Sequence, residues 1–280
     1  MSALVILGAG PIGAALAHQA MSAGIVRRIV LVDESGDVAR GLALDIRQAA
    51  PIAGSSSAVE GGDDIGAVVG APVVVLADRF GPGGEWHGDA GLATVAQVRK
   101  LNPSALIVCA GASQDALVEA FVTEHDADRT RIVGSAAEAF RGALTALTCL
   151  ETGAASNDVS LAMIGRAPGE LFVPWDGASI GGSRATDVLA AAVLARLDRQ
   201  LPFLWPPGPL TLAGGALRVA RLVLEHTPGW VCVTLMPPST ADVQPGAVAL
   251  PAAASGGALT PQWPALAPRD QVRLESVLAV

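Results

Sequence analysis

Short, wholly apolar runs alternate with longer segments of helical spacing through the first half of the chain, and this alternation predicts its architecture. Leu4-Val5-Ile6-Leu7, Ile29-Val30-Leu31-Val32, Val73-Val74-Val75-Leu76 and Ala105-Leu106-Ile107-Val108-Cys109 contain no charged or hydroxyl side chain. Runs of this length without in–out alternation suit parallel strands covered on both faces. Ala14, Ala17 and Met21 recur with helical spacing after the first run. Leu42, Leu44, Ile46 and Ala49 form an apolar face over 37–50 that Pro51 stops. Further helices are predicted over 91–101, ended by Asn102-Pro103, and over 115–125. Arg131 to Gly134 reads as a short strand leading into a helix over 136–150, whereas 53–64 and Gly81-Pro82-Gly83-Gly84 read as loop. Strands alternating with helices predict an α/β fold, a Rossmann-type doubly wound parallel sheet, over residues 1–135.

Beyond that point the texture is α+β. Strands are expected at 160–164 and 172–174, and helices over 184–201 and 210–226. An antiparallel pair is expected at 230–236 and 246–253, with a last helix from Pro268 to the C-terminus. No linker and no internal repeat separates the halves, so a domain of residues 1–135 and one of 136–280 are expected to be tightly joined.

Composition narrows the class. In 280 residues, 51% are hydrophobic and 16% charged, which predicts a well-buried globular chain. A net charge of −8 without a Lys/Arg cluster argues against nucleic acid. The chain starts directly on its first strand, so no signal peptide is expected, and five prolines between Val243 and Pro268 exclude a membrane span there. Cys109, Cys149 and Cys232 lie in apolar runs without metal-ligand spacing and read as buried thiols of a cytoplasmic protein, with no metal site expected.

The stretch with chemical content is Gly8-Ala9-Gly10-Pro11-Ile12-Gly13, set between the first strand and the first helix. Gly8 permits the turn, Gly10 lets the backbone approach a pyrophosphate, and Gly13 lets the helix pack on the strand. The helix N-terminus, from Pro11 and Ile12 onward, offers free N–H groups to phosphate. Asp33 ends the second strand 20 residues after Gly13, where a carboxylate accepts hydrogen bonds from an adenosine ribose and favours NAD over NADP.

The order of these motifs resembles the L-lactate/malate dehydrogenase family over nearly the whole chain. The glycine turn with Leu31-Val32-Asp33 looks like its cofactor fingerprint, and Gly41-Leu42-Ala43-Leu44-Asp45-Ile46 like its next helix. Asp115-Ala116-Leu117, Ile132-Val133-Gly134 and Gly246 to Pro251 fall in register with later segments. The resemblance implies NAD, a small carboxylate substrate, a homodimer or homotetramer, and a His base oriented by an Asp. Aligned on Val173-Pro174, Pro168 falls where that His belongs, and proline cannot act as a base. The family's Asp-x-x-Arg maps onto Glu138 and Arg141, with Arg141 as a two-pronged carboxylate clamp. His87 falls near a substrate-loop Arg, Arg79 replaces a small residue near the cofactor, and Ala112-Ser113 replaces the Asn-Pro turn. Glu170, near the missing His, is a weaker candidate base.

Two readings follow. One is an NAD-dependent oxidoreductase with altered substrate and acid–base residue, drawing on Glu138, Arg141 and His87. The other is a catalytically inactive dinucleotide-binding or assembly protein.

Overall fold

The computed structural model describes residues 3–125, 127–238 and 246–278. The glycine turn separates β1 (Ala3–Leu7) from α1 (Pro11–Ala23), and β2 (Arg28–Val32) leads to α2 (Gly36–Ala49). Next come β3 (Ala58–Gly62), β4 (Val73–Leu76), α3 (Gly88–Leu101), β5 (Leu106–Cys109), α4 (Asp115–His125) and β6 (Ile132–Gly134). Their spatial order is β3-β2-β1-β4-β5-β6, all parallel, which is the doubly wound order with its switch point between β1 and β4. Ligands of such sheets bind outside the carboxyl ends of the strands at that point.

Alternate residues of each strand feed opposite faces. Leu4, Ile6, Ile29 and Leu31 pack with Leu16, Ala20 and Met21 of α1, while Val5, Leu7, Val74 and Leu76 pack with Val95 and Val98 of α3 and Phe121 of α4. Pro11 opens α1 at its first turn, where a missing N–H costs nothing, and Gly24 closes it in the left-handed conformation.

The second half begins with α5 (Ala136–Thr152), followed by the small antiparallel sheet β7 (Val159–Ser160), β8 (Ser179–Ile180) and β9 (Ser183–Arg184). Then come α6 (Ala185–Val188), α7 (Ala191–Gln200) and α8 (Pro209–Leu224). The strands β10 (Trp230–Leu235), β11 (Val248–Ser255) and β12 (Ala258–Pro261) precede α9 (Pro268–Leu278). β10 pairs antiparallel with β6, so the main sheet runs on through the expected domain boundary to nine strands.

Several expectations need correction. Residues 58–62, read as loop, form the parallel edge strand β3, whose sequence Ala-Val-Glu-Gly-Gly buries only Val59 and so lacks an apolar run. A Cβ at Gly61 would lie 2.1 Å from the Ala39 carbonyl oxygen, so α2 lies directly on that strand. The helix expected over 184–201 is broken at Leu189 and Ala190, both extended, with Leu189 buried. The strand expected over 160–164 shortens to β7 and a single bridge between Ile164 and Phe172, and β12 joins β11 as an unforeseen third antiparallel strand. The last residues of the C-terminal helix expectation, 279–280, lie outside the described residues, as does Pro245. Among the described residues, no helix is long and apolar enough to cross a membrane, and no group of three or more potential ligand side chains could hold a metal ion.

Candidate functional site

The β1–α1 turn has the form the sequence predicts, but its donors are already in use. Asp78, which follows β4 at the switch point, places Oδ1 2.9 Å from the Ile12 N–H nitrogen and 3.0 Å from that of Gly13. The Gly10 N–H donates to the Asp78 carbonyl at 2.8 Å. A Cβ at Gly10 would stand 2.6 Å from the Asp78 carboxylate and 2.7 Å from the Arg79 carbonyl oxygen. The close approach that Gly10 allows is therefore taken up by the chain's own strand end. Burial pushes the Asp78 carboxyl up from its ordinary range, against the pull of the Gly13 and Ile12 amides.

Asp33 is buried and held by three backbone donors. Its Oδ2 accepts from Ala9 at 2.8 Å and Phe80 at 2.9 Å, and its Oδ1 from Ser35 at 2.8 Å. Beside it opens a cavity of about 210 Å³, lined by Asp33, Asp63, Ile65 and Trp86. The Trp86 indole N–H is buried there without a hydrogen-bond partner, and the Arg79 guanidinium lies 4.7 Å over its ring. The resemblance makes Arg79 the replacement of a small residue near the cofactor. Its guanidinium stacks on Trp86 at the cavity, while the side chain that enters the glycine turn is Asp78.

Between these points the chain folds as a hairpin over 78–85. Asp78 and Glu85 form an antiparallel bridge, and the Arg79 N–H donates to the Gly84 carbonyl at 2.7 Å. Its second arm is tied at the base to the β5–α4 turn, where Glu85 Oε2 accepts from the Ser113 N–H at 3.0 Å and from the Ser113 hydroxyl.

A second cavity, of about 400 Å³, lies beyond that tie and is lined by Glu85, Ser113, Asp115, Pro168 and Trp205. Pro168, which the sequence alignment sets against the family's catalytic His, is part of that lining. No cationic side chain is among its lining residues. Asp115 accepts from the Thr234 hydroxyl at 2.9 Å through Oδ2, while its Oδ1 is shut from solvent without a partner. Burial, with Glu85 nearby, raises the Asp115 carboxyl to about 7.

Glu138 and Arg141 are brought together, but only with each other, and His87 does not join them. Glu138 is buried on the face of α5 turned toward β10 and α8, where it accepts from the Cys232 N–H at 2.8 Å and pairs with Arg218 at 2.7 Å. Arg141 binds it bidentately at 2.9 and 2.5 Å and lies over the Trp230 ring. Both clamp positions of Arg141 are thus spent within the protein. α5 instead meets the Pro168 cavity's wall through Phe140, edge-on to Trp205 at 5.8 Å. His87 and Glu170 are exposed, and His87 precedes α3 with no side-chain cap bond.

Asp78, Glu85 and Asp115 carry the site's charge, and sequence reading assigned none of them a role. One signal was present: Val73-Val74-Val75-Leu76-Ala77-Asp78 has the same apolar-run-then-acid form that singled out Asp33.

No family model matches the chain. It is 26% identical over 197 residues to the malate dehydrogenase of Rhodopirellula baltica, a match covering 67% of this chain and 62% of that protein. The malate dehydrogenase of Thioalkalivibrio sulfidiphilus is 27% identical over 206 residues, 70% of this chain and 67% of that one. The matched stretch thus spans just under two thirds of the first relative's length. In fold, the chain is similar to the Cryptosporidium parvum lactate dehydrogenase complexed with lactic acid and nicotinamide adenine dinucleotide. The TM-score is 0.86 at 19% identity, covering 99% of this chain and 94% of that one. The malate dehydrogenase from Aeropyrum pernix gives 0.85 at 16% identity, covering 98% and 95%.

Proposed function

Because the chain belongs to the lactate/malate dehydrogenase family, we propose that it is an NAD-binding oxidoreductase-type protein that does not run histidine-assisted 2-hydroxy acid oxidation. The observation that carries the first half is the cavity beside Asp33 and Trp86, which Leu7 and Val32 line at the carboxyl ends of β1 and β2. These residues fit a dinucleotide in place and chemistry, with Asp33 for the ribose and the Ile12 and Gly13 amides for the pyrophosphate. A pyrophosphate and the Asp78 carboxylate are anionic acceptors for the same two donors, so the cofactor takes them by displacing Asp78. Bound there, the nicotinamide ring would supply hydride chemistry.

The second half rests on Pro168 and on the charge of its cavity. A small carboxylate, the substrate class of the relatives, would meet Glu85 and Asp115 with no lining cation to clamp it. Arg141 is withheld by Glu138. The pocket's chemistry favours a neutral or cationic substrate. Three free cysteines agree with a reducing, cytoplasmic setting, and homodimer or homotetramer assembly is part of the same proposal.

Calorimetric titration with NADH, alone and with Asp33→Asn, tests the binding half. Saturable binding weakened at least tenfold in the variant is expected. Absence of binding to both the native chain and Asp78→Ala overturns it and leaves the assembly reading. Turnover of malate or lactate with NAD above background overturns the second half.

A further inference from the structure

We propose that the 78–85 hairpin is an intramolecular competitor of the cofactor, whose Asp78 carboxylate stands in for the pyrophosphate. The inference rests on the dinucleotide reading above and adds how that cleft is controlled. Three independent ties place the hairpin along the whole cleft. The Phe80 N–H occupies Asp33, the carboxylate assigned to the ribose. The Asp78 carboxylate occupies the Ile12 and Gly13 amides, the donors assigned to phosphate. Glu85 occupies the Ser113 N–H and hydroxyl at the turn that follows β5.

A strand end that merely packed on the glycine turn would touch one of these stations. This hairpin satisfies all three, and at the middle one it does so with the charge type of the ligand. Carboxylate and phosphate both suit the positive end of a helix, so each excludes the other. The hairpin also has the means to leave. Gly81 and Gly83 at its tip hold positive φ values of 109° and 64°, a Cβ on either would meet nothing, and residues 80–83 are exposed. The Asp78–Glu85 bridge joins the two acidic ties at its base, so release at one end loosens the other. Apparent affinity for a dinucleotide is then the affinity of the open cleft multiplied by the fraction of time the hairpin is out.

The experiment separates phosphate competition from general loosening. ADP-ribose, which carries the pyrophosphate, and adenosine, which carries no phosphate, are titrated calorimetrically into the native chain, Asp78→Ala and Asp78→Asn. ADP-ribose is expected to bind at least tenfold more tightly to Asp78→Ala, with a smaller gain for Asp78→Asn and a several-fold smaller gain for adenosine, whose ribose competes only with the Phe80 N–H. Hydrogen exchange of the 79–85 amides is expected to speed up when the native chain is saturated with ADP-ribose. Should Asp78→Ala fail to fold, Asp78→Asn, which keeps the shape and loses the charge, carries the comparison. Equal gains for both ligands, no gain for ADP-ribose, or slower exchange over 79–85 would overturn the competitor. Native binding of NAD as tight as in the variants overturns it while leaving the dinucleotide reading intact. No binding by any of the three proteins overturns both.

Discussion

The two ends of the cleft have been treated differently. At the β1–β2 end the elements of a dinucleotide site are in place: the tight turn, the helix N-terminus, and a buried acid beside a cavity. At the far end the cavity is lined by Pro168, Glu85 and Asp115 without a cationic side chain, and under the proposed function the family's chemistry is replaced there. The first end is built from backbone geometry, which the packing of the sheet itself enforces. The second depends on a few side chains that the fold does not need. On the proposed function, the fold keeps a cofactor frame while its reaction is rewritten.

Glu138 offers the strongest attempt to break that contrast. If it is structural, Glu138→Ala leaves Arg141 buried and unpaired and the Cys232 N–H without its acceptor, costing about 3–5 kcal/mol in chemical denaturation. NADH affinity, measured at a temperature where the variant is folded, is expected to change less than twofold. A large loss of affinity with little loss of stability would return Glu138 to the site.

Next in size is Gly13→Ala, at the end that is kept. An added Cβ would stand 2.0 Å from the Gly8 carbonyl oxygen, so α1 must lift from β1. The overpacking costs about 1–3 kcal/mol, more than the helix propensity gained, and the lifted amides bind ADP-ribose more weakly. A thermal melt at or above the native one would show that the turn is looser than its geometry.

What was legible in the sequence follows the same division. Strands buried on both faces announce themselves, so β1, β2, β4 and β5 were readable from uninterrupted apolar runs. β3 was not, because an edge strand with one buried side chain and two glycines has the composition of a loop. The break at Leu189-Ala190 was hidden because both residues suit a helix and tertiary packing decides otherwise. In the site, the family resemblance made Arg141 a carboxylate clamp with Glu138 three residues before it. Helical neighbours three apart also pair with each other, and that is what they do. The role of Asp78 is set by a contact 65 and 66 residues away in sequence, which no local pattern reports.

Asp115 sharpens the contrast through pH. Its carboxyl is raised to about 7 in the folded chain, while an unfolded one titrates near 4. Between those values the native state keeps a proton that the unfolded state has released. Stability therefore falls as pH rises through the window, by up to about 1.4 kcal/mol per unit, and levels off above it. Asp115→Asn still offers an oxygen to Thr234 and carries no charge. Denaturation curves at pH 5 and pH 8 are expected to show the variant gaining on the native chain at the higher pH. Identical pH slopes would mean that Asp115 is better solvated than its buried Oδ1 implies.

The smallest expected effect belongs to His87, and its smallness is what makes it informative. Its place in the substrate loop suggested a replacement base, yet the side chain is exposed, lines neither cavity, and caps nothing at the start of α3. A solvated histidine without a partner contributes little to folding, so His87→Ala is expected to alter stability by less than about 0.5 kcal/mol. NADH affinity should stay within twofold of the native value across pH 6 to 8. A pH-dependent loss of binding on removing this one ring would mean that the hairpin presents His87 to the ligand once it opens. The far end of the cleft would then hold a ligand-facing imidazole beside its two carboxyl groups, and the division between a kept frame and a rewritten chemistry would have to be redrawn at the hairpin.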